Sequence, residues 1–143
     1  MIQKADVSNL VSIAELATKL WGTTLEEQLS DCAESLATEG ILLLLCVEED
    51  RPVGFAQCCI RFDFLEGGDG SPVGYLDGLF VEPEFRRKGY GTQLLRACED
   101  WARENGCSQF TSEAETSNDE SVSFHDHSGF SEIGHIICYA KPL

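Results

Sequence analysis

The chain has 143 residues, enough for one domain with a substantial core, and 43% of them are apolar. Ten lysines and arginines stand against 25 aspartates and glutamates, a formal charge of −15. That balance argues against nucleic acid and anionic membrane as partners and favours cationic ones. The seven cysteines are odd in number, show no CxxC spacing and fall mostly in apolar runs. They suit small hydrophobes in a reducing cytoplasm. The chain opens without a signal-peptide pattern. Its longest strongly apolar run, Ile41 to Val47, is too short to span a bilayer.

In chain order, "IQKA" predicts a short first strand. Asp6 can cap a helix whose stripe is Leu10, Ile13, Ala14, Ala17, Leu20 and Trp21, ending near Gly22. Thr24 to Glu27 fits a capping box for a second helix to about Ala37, stopped by Gly40. "ILLLLCVEED" predicts a strand buried on both faces, and "VGFAQCCIRFDF" its hairpin partner across the turn "EDRP". "LEGGDGSP" is a loop, and "VGYLDGLFVE" a long strand ended by Pro83. A helix is expected from about Gly89 to Asn105, with Leu94, Leu95, Cys98, Trp101 and Ala102 inward and Gly106 at its end. "SQFTSEA" predicts a strand, "NDESVSFHDHS" a short helix and "FSEIGHIICYAK" a final strand bent at Gly134. The order β-α-α-β-β-β-α-β-α-β, without repeat or linker, describes one α/β domain over residues 1–143 with a mixed sheet.

Two features carry chemistry. Arg86, Arg87 and Lys88 stand before Gly89 and Gly91, where a buried strand gives way to a helix. Glycine lets a ligand approach the backbone, and the first amides of a helix lack internal acceptors, so this turn is an anion site. The second feature is Asp77, an acid interrupting the apolar strand "YLDGLFV". A buried carboxylate there needs a partner or a task. His125 and His127 form an H-x-H pair, but no third ligand stands at metal-site spacing and no metal is expected.

The spacing of Val81, Pro83, Arg86, Gly89 and Gly91 resembles the acetyl-coenzyme A signature of the GNAT N-acetyltransferase superfamily. So does the later run Asn118, Ser121, Phe124, His125, Gly129 and Phe130. The resemblance implies a mostly antiparallel mixed sheet with a splayed strand pair, flanked by about four helices. It also implies acetyl-coenzyme A as acetyl donor, with no metal. Its diphosphate would lie on the turn from Arg86 through Arg87, Lys88, Gly89, Tyr90 and Gly91 to Thr92. Its pantetheine arm would run along Leu79, Phe80 and Val81, as an added strand would. Asn118 and Ser121 would meet the cofactor from the other side. His125 stands where the superfamily often has a tyrosine that protonates the leaving thiolate, and an imidazole can take that role.

Over nearly its full length the chain is more specifically similar to aminoglycoside 6'-N-acetyltransferases. The telling residues are Leu20 and Trp21, then Arg61, Asp63 and Phe64, the Gly/Asp loop, "SPV", "LDGLFV" and "TSEAETSN". Phe64 lies near a position that is often tyrosine in that family. A polyammonium sugar calls for clustered carboxylates and an aromatic wall. The candidates are Asp77, Glu113 and Glu115, with Trp21, Phe64, Glu26 and Glu27 completing the cleft. Direct transfer within a ternary complex is expected, with Asp77 or Glu115 taking the proton of the amine. Cys58 and Cys59 are expected in the strand core rather than as nucleophiles. A homodimer in the cytoplasm is expected. Two other functions fit the same residues: acetylation of another small cationic amine such as a polyamine, and a non-catalytic acetyl-coenzyme A sensor.

Overall fold

The computed structural model describes residues 1–62 and 72–143, in two compact units, Met1–Glu113 and Ala114–Leu143. In the first unit the chain runs through β1 (Ile2–Lys4), α1 (Leu10–Trp21), α2 (Leu25–Ala37), β2 (Ile41–Glu48) and β3 (Arg51–Arg61). It continues through β4 (Val73–Val81), α3 (Tyr90–Glu104) and β5 (Gln109–Thr111). One sheet holds the strands in the order β1-β2-β3-β4-β5. All neighbours are antiparallel except β4 and β5, which the α3 crossover makes parallel.

Local chemistry sets the boundaries. The Asp6 side chain accepts from the Ser8 N–H at 2.8 Å and starts the turn into α1, and Gly22, in the left-handed region at φ 68°, ends that helix. The expected capping box is present at α2. Thr24 Oγ1 accepts from the Glu27 N–H at 3.2 Å, and the Glu27 carboxylate accepts from the Thr24 N–H at 3.2 Å. Glu49 and Asp50, with φ of 48° and 64°, close the β2–β3 hairpin, where two positive-φ residues match the strand twist.

The sheet is covered on both faces. Ile13, Ala14 and Ala17 of α1 and Cys32 of α2 pack with Leu43, Leu45 and Phe55 on one face. Leu94, Leu95, Cys98 and Ala102 of α3 are buried with their apolar stripe inward, and Trp101 is only half-buried. A Cβ on Gly74 would come within 2.9 Å of the Ala102 Cβ, so α3 lies against β4 there. Leu42 to Cys46 are all buried, as the unbroken apolar run of β2 predicts.

Two expectations fail. The strand expected over "SQFTSEA" shortens to β5, three residues long. No strand forms over residues 130–141. The second unit's regular element among the described residues is α4 (Asp119–His127). Ile133, Ile136, Ile137 and Tyr139 are 75%, 80%, 75% and 89% exposed. A strand is held by hydrogen bonds to a neighbour, and this unit contains no other strand to supply them. No helix among the described residues is long and apolar enough to cross a membrane.

Candidate active site

β4 and β5 pair only from Val73 to Tyr75 against Gln109 to Thr111. Beyond Tyr75 the β5-facing edge of β4 has no partner strand among the described residues, which is the splay that the resemblance implies. On its other edge β4 stays paired with β3 as far as Val81, and the Glu82 N–H donates to the Val53 carbonyl at 2.8 Å. Backbone direction alternates along a strand, so Val81 and Leu79 turn their amides to the open edge.

The turn after β4 is shaped as an anion cradle. Arg87, at φ 63°, and Gly89, at φ 84°, both take the left-handed conformation, and Gly89 caps the start of α3. The first internal bond of the helix runs from the Gln93 N–H to the Gly89 carbonyl at 3.0 Å, so the amides of Tyr90, Gly91 and Thr92 precede it and point out of the helix end. Arg86 folds back: its Nε donates to the Val81 carbonyl at 2.8 Å, and its guanidinium lies 5.6 Å from the Phe80 ring centre. It therefore shapes the turn as well as charging it. Lys88 reaches Glu48 at 3.4 Å, and the Tyr90 hydroxyl donates to the same carboxylate at 2.5 Å. The Tyr90 bond, before the Lys88 charge, holds Glu48 below the usual carboxylate range, and the phenol is pushed up to about 12.

Asp77 sits at an irregularity in the sheet. Gln57 pairs with Gly78 and Cys58 with Leu76, so Asp77 is the extra residue of a bulge. Bulges re-aim side chains. The Cys59 thiol lies 3.9 Å from Asp77 Oδ1, and Oδ2 is buried without a hydrogen bond. Burial pushes this carboxyl above its usual range, while the Cys59 thiol, the Arg61 charge and the Gln57 amide pull it back. Arg61 stacks on the Tyr75 ring with 3.5 Å from its guanidinium carbon to the ring centre. Burial first, then the Glu113 charge, raises the Tyr75 phenol.

Trp21 closes one side. Its ring meets Phe55 edge-on at 5.6 Å, and its Cζ2 would be 2.5 Å from a Cβ on Gly78, the residue after Asp77. Trp21, Asp77 and the open β4 edge are thus brought together. Glu113 is exposed and close to Tyr75. Glu27 is engaged in the α2 cap and Glu26 is exposed beside it. Phe64 and Asp63 lie outside the described residues. Cys58 is fully buried against α3 chemistry, with the Cys98 thiol first among the causes that push its own thiol far upward. Cys59 departs from the expected core role: it is half-buried and faces Asp77, and burial first, then the Asp77 charge, pushes its thiol to about 11. A thiol that reluctant to ionise is a poor nucleophile.

In the second unit Asn118 caps α4, its Oδ1 accepting from the Ser121 N–H at 3.1 Å. His125 Nδ1 lies 2.6 Å from the Ser121 carbonyl, and its ring lies 5.0 Å from that of Phe130. A carbonyl only accepts, so Nδ1 carries the proton in this bond. Glu115 is exposed. Among the described residues no three metal-ligating side chains cluster.

Gln57, Cys59, Arg61 and Tyr75 were not among the sequence-derived candidates. The signal that finds them is the alternation of β3 and β4, which puts residues 57, 59 and 61 on one face opposite Tyr75.

Comparison with known proteins agrees with this geometry. Residues 9–130 match the model of the acetyltransferase (GNAT) family. An aminoglycoside N(6')-acetyltransferase type 1 of Acinetobacter haemolyticus is 32% identical over 142 residues, covering 99% of this chain and 98% of the relative. One from Klebsiella aerogenes is 33% identical over 149 residues, covering 100% and 97%. Among solved structures, AAC(6')-Iy in complex with the bisubstrate analogue CoA-S-monomethyl-acetylneamine superimposes with a TM-score of 0.92 at 31% identity, over 100% of this chain and 98% of that one.

Proposed function

This chain belongs to the acetyltransferase (GNAT) family and is related to the aminoglycoside 6'-N-acetyltransferases, and from that premise we propose that it transfers the acetyl group of acetyl-coenzyme A to a primary amine of an aminoglycoside. The observation that carries this reading is Asp77: a buried carboxylate oxygen without a hydrogen bond, set by a bulge beside Trp21 at the mouth of an open strand edge. A binding module would have no use for such an acid, whose burial costs stability.

When bound, the coenzyme supplies an activated acetyl group. The exposed amides at the start of α3 and the cations Arg87 and Lys88 hold its diphosphate, and the free edge at Leu79 to Val81 takes the pantetheine arm as an added strand. Asp77 binds the substrate ammonium and accepts its proton, leaving a neutral amine to form the N–C bond as the C–S bond breaks. Asp77 suits this better than Glu115, because it is half-buried where Glu115 is exposed, and its raised affinity for protons brings it nearer to that of an amine. An amide of the open edge near Leu79 to Val81 steadies the charge that develops on the carbonyl oxygen. His125 holds the position of the thiolate's proton donor in the family pattern.

Trp21 provides a flat wall for sugar rings and their ammonium groups, and the surrounding charge of −15 draws a polycation in. We also read the chain as a cytoplasmic homodimer. Its seven free thiols suit a reducing compartment. Its exposed apolar segment after Phe130 suits a second copy.

The test is coenzyme A release with kanamycin, with spermine and without acceptor. Acceleration by kanamycin alone supports the reading. Acceleration by spermine alone points to a polyamine enzyme, and acetyl-coenzyme A binding without any release points to a sensor.

A further inference from the structure

The face of the sheet that receives a polycation in the proposed function carries a cation of its own. Arg61 lies at the end of β3, on the face of Gln57 and Cys59. Its pairing partner across the hairpin is Val73, yet its guanidinium lies over the ring of Tyr75, two residues further along β4. The side chain thus leans along the diagonal toward Asp77 rather than outward. At 3.5 Å the stack is close, and arginine suits it because a planar guanidinium stays charged when packed against an aromatic face.

Around Asp77, β3 presents Gln57, Cys59 and Arg61, and β4 presents Tyr75. Glu113 stands beyond Tyr75, Trp21 of α1 lies over Gly78, and the Cys58 thiol is on the opposite face. Of these only Arg61 is positive. The Cys59 thiol and the Gln57 amide favour the carboxylate only as neutral donors, and none of the other groups brings a positive charge to it. A carboxylate with one oxygen buried and unbonded needs a compensating charge to remain ionised.

We infer that Arg61 is a positioning residue for acetyl transfer: clamped on the Tyr75 ring, it supplies the standing positive charge that keeps Asp77 a carboxylate before the substrate arrives. This rests on the reading of Asp77 as the group that takes the amine proton.

The experiment follows the Asp77 carboxyl carbon by NMR in aspartate-labelled protein, titrated from acid to neutral pH and assigned by its absence in Asp77→Asn. The wild type is compared with Arg61→Met and Arg61→Lys. The expected result is a midpoint shifted to higher pH in Arg61→Met and largely restored in Arg61→Lys. With kanamycin as acceptor, the acid limb of kcat/KM should move the same way, whereas a merely structural arginine would lower activity without moving that limb. If Arg61→Met does not fold by circular dichroism, Arg61→Gln is titrated in its place. An unchanged midpoint in a folded variant overturns the inference. The titration needs no substrate, so a shifted midpoint in a protein inert toward kanamycin would uphold the role of Arg61 in charging Asp77 and sink the aminoglycoside reading instead.

Discussion

Asp77 is costly where it stands. Its pKa is raised in the folded chain, so the native state holds the proton more tightly than the unfolded state does. Its own contribution to stability is therefore most favourable below the unfolded value of 3.8 and is lost as pH rises through the folded value, above which the penalty is fully present. Asp77→Asn should raise the melting temperature at neutral pH while lowering turnover, and the thermal advantage should shrink as the solution is acidified. A variant less stable than wild type at pH 7 would show that the carboxylate is structural. At Gly78 the constraint is steric, since its φ is ordinary and the obstacle is the Trp21 ring at 2.5 Å. Gly78→Ala should cost about 1–3 kcal/mol by overpacking and raise the KM for the amine by displacing the indole, as denaturation and steady-state kinetics would read. That Asp77 would place a polar atom out of water was legible from one acid in an apolar strand. The bulge that turns it was not, because register is decided between strands rather than within one. Cys59 was misjudged for the same reason: its neighbour Cys58 is core, and one residue along a strand is the other face.

Helix starts, strand turns and caps were the most readable elements, because their signals are short and local. The box at Thr24 and Glu27 formed as its residues predict. Thr24→Ala should lose about 1 kcal/mol of stability in urea unfolding, with activity kept unless α2 shifts. The start of α3 was equally readable, with Gly89 at φ 84° and room around it, since an added Cβ would meet only the Gln93 amide at 3.9 Å. Aspartate tolerates that conformation better than most residues, so Gly89→Asp should fold. It should also abolish acetyl-coenzyme A binding in calorimetry, because a negative charge enters the phosphate cradle. Unchanged affinity would move the diphosphate elsewhere. The bond from Tyr90 to Glu48 had no local signal, because its partners are 42 residues apart in sequence.

At the scale of the whole molecule, the segment after Phe130 has the composition of a strand and the exposure of a tail. It carries one acid, Glu132, one lysine, Lys141, and one histidine, His135, in a chain whose net charge is −15. Two copies that repel elsewhere can approach through this neutral, apolar stretch. Mass measurement should find a dimer in the intact protein, and a chain ending at Gly129 should be monomeric. A monomeric intact protein would end that expectation. The apolar pattern over residues 130–141 led to a strand that does not form, because one sequence could not reveal that a hydrogen-bonding partner is missing from its own unit. The consequence reaches into folding. If this tail gains its ladder only from another chain, its ordering is a second-order event, and dilution alone should strip hydrogen-exchange protection from its amides while those of β2 and β3 stay shielded.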